Sequence, residues 1–213
     1  VSGGVGFLIL VLTIASWLIY KNNTRVKILS FLSLFFVVLQ GALGALTVVF
    51  ESVFAKKAAL ALHFGFSLIS FASIVSLTIC LVKKEQYKPP VLSKSLCFSI
   101  WGLVVYTYCV VYTGAFVRHT QATMGCGYEF PLCGNTYFPQ LNSLAGIHLL
   151  HRYTAIILWF LVLWFLISMR RWFAKGDTLR KASILAFILI TFQALSGIWT
   201  VFSGGQLLIA LVH

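Results

Sequence analysis

Charged residues are scarce in this chain of 213 residues, in which Asp, Glu, Lys and Arg together make up only 9%. Soluble domains carry about 25% charged and about 45–50% apolar residues, whereas 60% of this chain is hydrophobic. The shortage of charge excludes a water-soluble enzyme, a nucleic-acid-binding protein and a disordered tail. The formal net charge of +12 does not change this conclusion, because the basic residues lie in short clusters between long apolar runs.

Motifs typical of hydrolytic and phosphate-binding enzymes are also missing. The sequence has no glycine-rich phosphate loop, no paired carboxylates within an apolar run and no hydrolase triad. Its four acidic residues fall in predicted loops, Glu51 and Glu129 on one side and Glu85 and Asp177 on the other. No neighbouring residue makes any of them a catalytic acid.

The apolar residues form runs of about 20, the length that crosses a bilayer as a helix. We predict six complete membrane spans and a seventh that begins near Gln206 and is cut off at His213. The complete spans are Gly3–Tyr20, Ile28–Phe50, Ala58–Val82, Leu96–Val117, Leu144–Met169 and Ala182–Phe202. The sequence therefore predicts an all-α, multi-pass integral membrane protein.

Lys and Arg collect in alternate loops, which predicts the orientation of the spans because cytoplasmic loops are enriched in these residues. The loops predicted to be cytoplasmic carry Lys21, Arg25, Lys27, Lys83, Lys84, Lys88, Lys94, Arg170, Arg171, Lys175, Arg180 and Lys181. The other side has Lys56, Lys57, Arg118 and Arg152. Val1 then starts on the outside, and a bacterial protein with its N-terminus inside the cell membrane would need one more span before it, which we expect.

One predicted outer loop, Arg118–Ser143, is long, nearly uncharged and contains Cys126 and Cys133. Cysteines outside the cell meet oxidising conditions, so a disulfide is the favoured interpretation. A zinc site would need two more ligands, and the loop offers only His119 as an obvious candidate.

A short motif occurs twice, 153 residues apart. Gln40, Gly44 and Thr47 of the second span match Gln193, Gly197 and Thr200 of the sixth, and an outer turn and a histidine follow each copy, His63 and His213. The two glycines let helices or a flat cofactor approach closely, and close helix packing alone would explain them.

The repeat predicts two tandem, pseudo-symmetric four-helix bundles with eight spans in the complete protein. Residues 1–94 form the first half, which lacks its first helix and includes a cytoplasmic linker, 83–94. Residues 95–213 form the second half, whose last helix is truncated. By the same offset, the counterpart of His151 lies before Val1.

Three histidines, His63, His151 and His213, share one depth, roughly 10 Å inside the outer end of their helices. In a four-helix bundle, the helices of His151 and His213 are diagonal, so these two imidazoles are a candidate axial pair for a haem. A position among lipid headgroups is the alternative for any single histidine. Ionisable groups inside spans are costly, and three at a matched depth favour a functional role.

Other polar residues on the outer side are candidates for supporting roles at such a haem. Arg118 and Arg152 supply cations for the haem propionates or, alternatively, contact lipid headgroups. His148 lies one turn from His151 and is a candidate supporting partner, and His119 at a helix end is a candidate for shaping access.

The chain resembles the bacterial haem A synthase family, of the Gram-positive type. The resemblance covers nearly the whole sequence and rests on these segments: L-Q-G-A-L-G-A-L-T-V-V-F, A-L-H-F-G-F-S-L-I-S-F-A-S, Y-T-G-A-F-V-R-H-T, C-G-Y-E-F-P-L-C, H-R-Y-T-A and Q-A-L-S-G. It implies an oxidoreductase that converts a methyl group of haem O to a formyl group by successive hydroxylations, within cytochrome oxidase assembly.

The resemblance also implies a distribution of sites. His151 and His213 match the ligands of a b-type haem in the second half, and His63 matches one ligand of the substrate haem O in the first half. The catalytic glutamate of the family falls before Val1, at the repeat position of His148, so we expect the chain as given to be inactive. Expected partners are membrane lipid, a haem O synthase that supplies the substrate and an unidentified electron acceptor.

Two other functions use the same sequence features. A quinol-linked, bis-histidine haem protein would transfer electrons without methyl oxidation. A transporter built from repeats would place polar residues and broken helices at mid-membrane, whereas the polar residues here gather near the outer end.

Overall fold

The computed structural model describes residues 2–49, 53–82, 92–133 and 135–213. These residues form seven α-helices and a short 3₁₀ turn, Ala122–Met124. The helices are α1 (Ser2–Ile19), α2 (Thr24–Val49), α3 (Val53–Val82), α4 (Lys94–His119), α5 (Leu144–Trp172), α6 (Thr178–Phe202) and α7 (Leu207–Val212). Within these ranges, extended backbone pairs in one isolated bridge, between Cys133 and Thr136. The prediction of an all-α protein is confirmed.

Five helices are long and apolar enough to cross a membrane: Thr24–Val49, Ala55–Val82, Lys94–His119, Leu144–Trp172 and Thr178–Phe202. The first helix is apolar but shorter than these five, so the first predicted span, Gly3–Tyr20, stays a prediction. The chain is a multi-pass membrane protein. The predicted arrangement in two four-helix bundles, and which loops face the cytoplasm, stay predictions.

Several helices extend beyond the predicted spans, two of them at starts that carry basic residues. Helix α2 begins at Thr24 rather than Ile28, and α6 begins at Thr178 rather than Ala182. Lys and Arg are good helix formers whose charged ends reach water while their stems lie along apolar surface, so a helix continues beyond its apolar run. Phe50, Glu51 and most of the predicted linker, residues 83–91, lie outside the described residues.

The chain divides into two compact units, Val1–Leu92 and Ser93–His213. In the first unit, α2 packs against α1 and α3 through small hydroxyl residues. Thr13 Oγ1 donates to Ser30 O at 3.1 Å, and Ser70 Oγ donates to Ser33 O at 3.4 Å. Small polar residues let apolar helices approach closely and replace the hydrogen bonds that lipid cannot supply.

The second unit has a core of large apolar side chains between α4, α5 and α6. Val110, Leu158 and Val162 are buried together. Two polar contacts join the helices at this level, Tyr106 OH to Thr154 O at 3.3 Å and Trp159 Nε1 to Thr191 Oγ1 at 3.0 Å. This packing holds α4, α5 and α6 as one scaffold.

Two serines begin the helices that flank the loop of the second unit. Ser93 accepts a hydrogen bond from Leu96 N at the start of α4, and Ser143 accepts one from Gly146 N at the start of α5. These N-caps satisfy helix donors that would otherwise lack a partner. Ser143 fixes where α5, the helix that carries His148 and His151, begins.

Candidate functional site

His213 packs against α6 at a position that only glycine can occupy. Its Nδ1 lies 3.0 Å from Gln193 O and 3.0 Å from Ser196 Oγ. A Cβ atom added at Gly197 would lie 2.7 Å from Cε1 of the imidazole. The sequence analysis explained this glycine by the close approach of helices or of a flat cofactor, and in the structure it packs against the histidine itself.

His151 packs against α4 in the same manner. Its Nδ1 lies 2.9 Å from Thr113 Oγ1, and a Cβ added at Gly114 would lie 2.9 Å from its Cε1. Each imidazole of the second unit therefore lies on a glycine that follows a hydroxyl residue, Thr113-Gly114 or Ser196-Gly197.

The two imidazoles face a common space in the second unit. Their ring centroids are 6.4 Å apart and the ring planes are inclined at 68°. A metal held between two histidine nitrogens, each about 2 Å away, separates the ring centres by roughly 6 Å. The pair predicted from helix depth is thus brought together at a spacing that fits bis-histidine ligation.

Hydrogen bonding at Nδ1 also suits metal ligation. A neutral imidazole that donates from Nδ1 carries its lone pair on Nε2. His213 donates from Nδ1 to Gln193 O, which leaves Nε2 as its ligating nitrogen. Metal-binding histidines almost always use their second nitrogen in this way.

A bare metal ion has no comparable site. Across the described ranges, no three His, Cys, Asp or Glu side chains come together in a metal-binding group. A haem supplies four ligating nitrogens of its own and needs only two axial ligands, so the donor set of His151 and His213 fits a haem better than a free metal ion.

His63 has the corresponding contacts in the first unit. Its Nδ1 donates to Gln40 O at 2.9 Å, and a Cβ added at Gly44 would lie 3.4 Å from its Cε1. The residue before the glycine is Leu43, where the second unit has a hydroxyl residue. The contact to glycine is looser than at Gly114 or Gly197.

A disulfide between Cys126 and Cys133 closes the predicted outer loop, which confirms that prediction over the zinc alternative. Both cysteines are buried against Leu149 of α5. The loop and α5 are in such close contact that a Cβ at Gly125 would lie 2.3 Å from Leu144 O. The loop therefore forms a fixed cover over the first turns of α5.

Arg152 and His148 join this cover to the helix of His151. Arg152 Nη1 donates to Glu129 O at 2.6 Å, and its Nε donates to His148 Nε2 at 3.1 Å. His148 is only 4% exposed. Both residues thus support the loop, and their predicted roles towards haem propionates or access stay predictions.

Arg118 and His119 end helix α4 on the same side of the second unit. Arg118 is exposed and His119 is half-buried. Their roles in propionate binding and access also stay predictions.

The sequence analysis missed the hydroxyl–glycine pairs. The sequence did contain a signal for them, a hydroxyl residue followed by glycine inside an apolar helix. Each such pair lies one predicted span before a histidine at matched depth. The signal was overlooked because Thr113 lies in α4, outside the repeated motif.

The fold and the site define a multi-pass, all-helical membrane protein with two histidines paired across the second unit. The family model of the cytochrome oxidase assembly proteins, COX15-CtaA, matches residues 1–213. The chain belongs to this family.

Three curated relatives that are similar to the chain carry the name heme A synthase. The heme A synthases of Bacillus mycoides strain KBAB4 and Bacillus cereus strain AH187 are each 38% identical to it over 100% of this chain and 68% of their own length. The heme A synthase of Halalkalibacterium halodurans is 37% identical over 100% of this chain and 71% of its own length. The sequence resemblance to this family is confirmed.

Proposed function

We propose that the protein acts as a haem A synthase, an oxidoreductase that converts a methyl group of haem O to a formyl group by successive hydroxylations. The observation that carries the proposal is the His151–His213 pair at 6.4 Å. Family membership and the similarity to heme A synthases over the whole of this chain support the same reaction.

In this proposal the second unit holds a b-type haem as resident cofactor, with His151 and His213 as axial ligands. The haem supplies one-electron chemistry, which protein side chains lack. The chain supplies the orientation of the ligands. The Nδ1 hydrogen bonds fix the tautomers of both imidazoles, and Gly114 and Gly197 bring the rings against the helices.

The first unit receives haem O, with His63 as one of its ligands. Its Nδ1 bond to Gln40 O orients the ring as in the second unit. The family resemblance implies a catalytic glutamate and a further histidine at this site. An apolar haem with a long hydrocarbon tail reaches this position from the lipid, supplied by a haem O synthase, and an electron acceptor of unidentified nature completes the reaction.

The test is to purify the natural full-length protein from bacterial membranes and identify its haem by pyridine haemochrome spectrum and mass. Haem B together with haem O, its hydroxylated intermediate or haem A is the expected result. His151→Ala should remove haem B, whereas the matched variant His63→Ala should retain haem B and lose the substrate haem.

Two results would contradict the proposal. Unmodified haem B alone, in cells that make haem O, would identify an electron-transfer protein without methyl oxidation, since the same histidine pair serves that function. If the purified protein contains no haem, both functions are contradicted, and the histidines are then residues of the membrane interface.

A further inference from the structure

Thr113 makes two hydrogen bonds with a single hydroxyl proton. Its Oγ1 donates to Val110 O at 2.7 Å, within the same helix. The same oxygen lies 2.9 Å from His151 Nδ1. Because the hydroxyl proton is used for Val110 O, the proton in the second bond belongs to the imidazole. Thr113 therefore accepts from Nδ1 and leaves the lone pair of His151 on Nε2.

A neighbouring hydroxyl does not change this assignment. Thr154 Oγ1 lies 3.4 Å from Thr113 Oγ1, but it donates to Leu150 O and His151 O of its own helix, both at 3.0 Å. Thr154 Oγ1 is therefore not a second hydrogen-bond acceptor for His151 Nδ1 in the structure. The main chain of Val110 is a further hydrogen-bond partner of His151, and Thr113 Oγ1 is the side-chain partner of its Nδ1, at 2.9 Å.

The two imidazoles of the pair are thus held differently. His213 donates to a main-chain oxygen, Gln193 O, and has Ser196 Oγ as a second neighbour. His151 has a side-chain hydroxyl, Thr113 Oγ1, as its closer partner at 2.9 Å, beside the main chain of Val110. The acceptor of the second nitrogen sets both the ring orientation and the basicity of a metal-ligating histidine, so these two properties of His151 depend on residue 113.

We propose that Thr113 is a positioning residue that orients His151 and sets the midpoint potential of the haem bound between His151 and His213. The inference rests on the proposed function of this pair. A stronger acceptor makes the imidazole a more basic ligand, which stabilises ferric over ferrous iron and lowers the potential. Removal of the acceptor should therefore raise it.

The test compares three variants of the natural full-length protein, purified with its haem. Thr113→Val keeps the shape of the side chain, removes the hydroxyl acceptor and leaves the main chain of Val110 as the partner of His151, whereas Thr113→Ser restores the hydroxyl. Thr107→Val, on the same helix, is the matched control, because Thr107 bonds only Leu103 O in its own helix in the structure, at 2.7 Å. Redox titration gives the midpoint potential, and electron paramagnetic resonance of the ferric haem reports the ligand orientation.

We expect Thr113→Val to raise the midpoint potential and shift the ferric resonance, with Thr113→Ser close to the parent and Thr107→Val unchanged. Second-nitrogen partners are worth about 10–100-fold in metal affinity. A tenfold loss of ferric over ferrous affinity corresponds to a rise of about 59 mV.

The outcomes separate this inference from the proposed function. An unchanged potential and resonance in Thr113→Val, with haem still lost in His151→Ala, would overturn the role of Thr113 alone. An equal shift in Thr107→Val would also overturn it, since the effect would then belong to the helix. Haem B retained in His151→Ala would overturn the proposed function itself.

Discussion

The histidine sites of the two units share one construction and differ in how tightly it is built. In both, Nδ1 donates to a glutamine main-chain oxygen and the ring lies on a glycine, at Gly44 for His63 and at Gly197 for His213. A Cβ would be 3.4 Å from the ring in the first unit but 2.7 Å in the second.

The second unit has two further features that restrict the positions of its imidazole rings. Ser196 replaces Leu43 beside the glycine, and His151 faces His213 across 6.4 Å. A close, doubly constrained site suits a cofactor that stays bound, whereas a looser site suits a substrate that enters and leaves. The comparison teaches that one helix-packing motif serves both purposes under the proposed function.

The largest expected effect comes from filling the glycines of the tight sites. Gly114→Ala and Gly197→Ala place a methyl group 2.9 and 2.7 Å from the respective imidazoles, so the rings must move. We expect each variant to lose at least about tenfold in bound haem B per protein, measured by pyridine haemochrome. Gly102→Ala, in α4 with nothing within 4 Å, is the control. Full haem content in both variants would show that the glycine contacts do not position the ligands.

Removal of the disulfide should weaken the second unit without removing its histidines. The chain-entropy model gives roughly 2–3 kcal/mol for so short a loop, and both cysteines are buried. We expect Cys126→Ala with Cys133→Ala to lower the thermal unfolding temperature in detergent. Cys97→Ala with Cys109→Ala, which changes two exposed free cysteines, should leave it unaltered. Equal unfolding temperatures for the two double variants would contradict a stabilising cover.

A smaller effect is expected at the looser site. A Cβ at Gly44 makes an ordinary contact with His63 at 3.4 Å, so Gly44→Ala should alter substrate-haem binding by less than about 1 kcal/mol. Spectroscopic titration with haem O measures this directly, with Gly41→Ala on the same helix as the control. Complete loss of haem O binding in Gly44→Ala, with binding retained in Gly41→Ala, would mean that the glycine contact of His63 is as tight as the contacts in the second unit.

The smallest effect should come from Ser196→Ala. His213 keeps Gln193 O as its acceptor at 3.0 Å when the hydroxyl is removed, and the first unit has Leu43 at the matching position. We expect haem B to be retained and the midpoint potential to move less than in Thr113→Val. A larger shift of the midpoint potential than in Thr113→Val would mean that His213, and not His151, depends more on its hydroxyl neighbour.

Much of the fold was predictable because a bilayer demands long apolar runs, and the composition shows them directly. The disulfide was predictable from two cysteines in one loop. The helix starts were not, since a hydropathy pattern ends at Arg25 or Arg180 while the helix includes both residues. Helix ends depend on caps and on long basic side chains, which hydropathy does not record.

The candidate site was predictable in part for a related reason. Helix depth predicted the pairing of His151 with His213, because depth follows from counting residues along a span. Which side chains touch the rings depends on helix rotation and tilt, which arise from packing between helices. Thr113 and the true contact of Gly197 could not be deduced from depth alone.

Main-chain acceptors have an evolutionary consequence. No substitution deletes a backbone oxygen, so the hydrogen bonds of His63 and His213 to residues 40 and 193 survive sequence drift as long as the helices persist. His151 has the Thr113 hydroxyl as its closer partner and the Val110 main chain beside it. Under the proposed function, a single inherited replacement at residue 113 changes the electron affinity of the haem, while His213 keeps its main-chain acceptor.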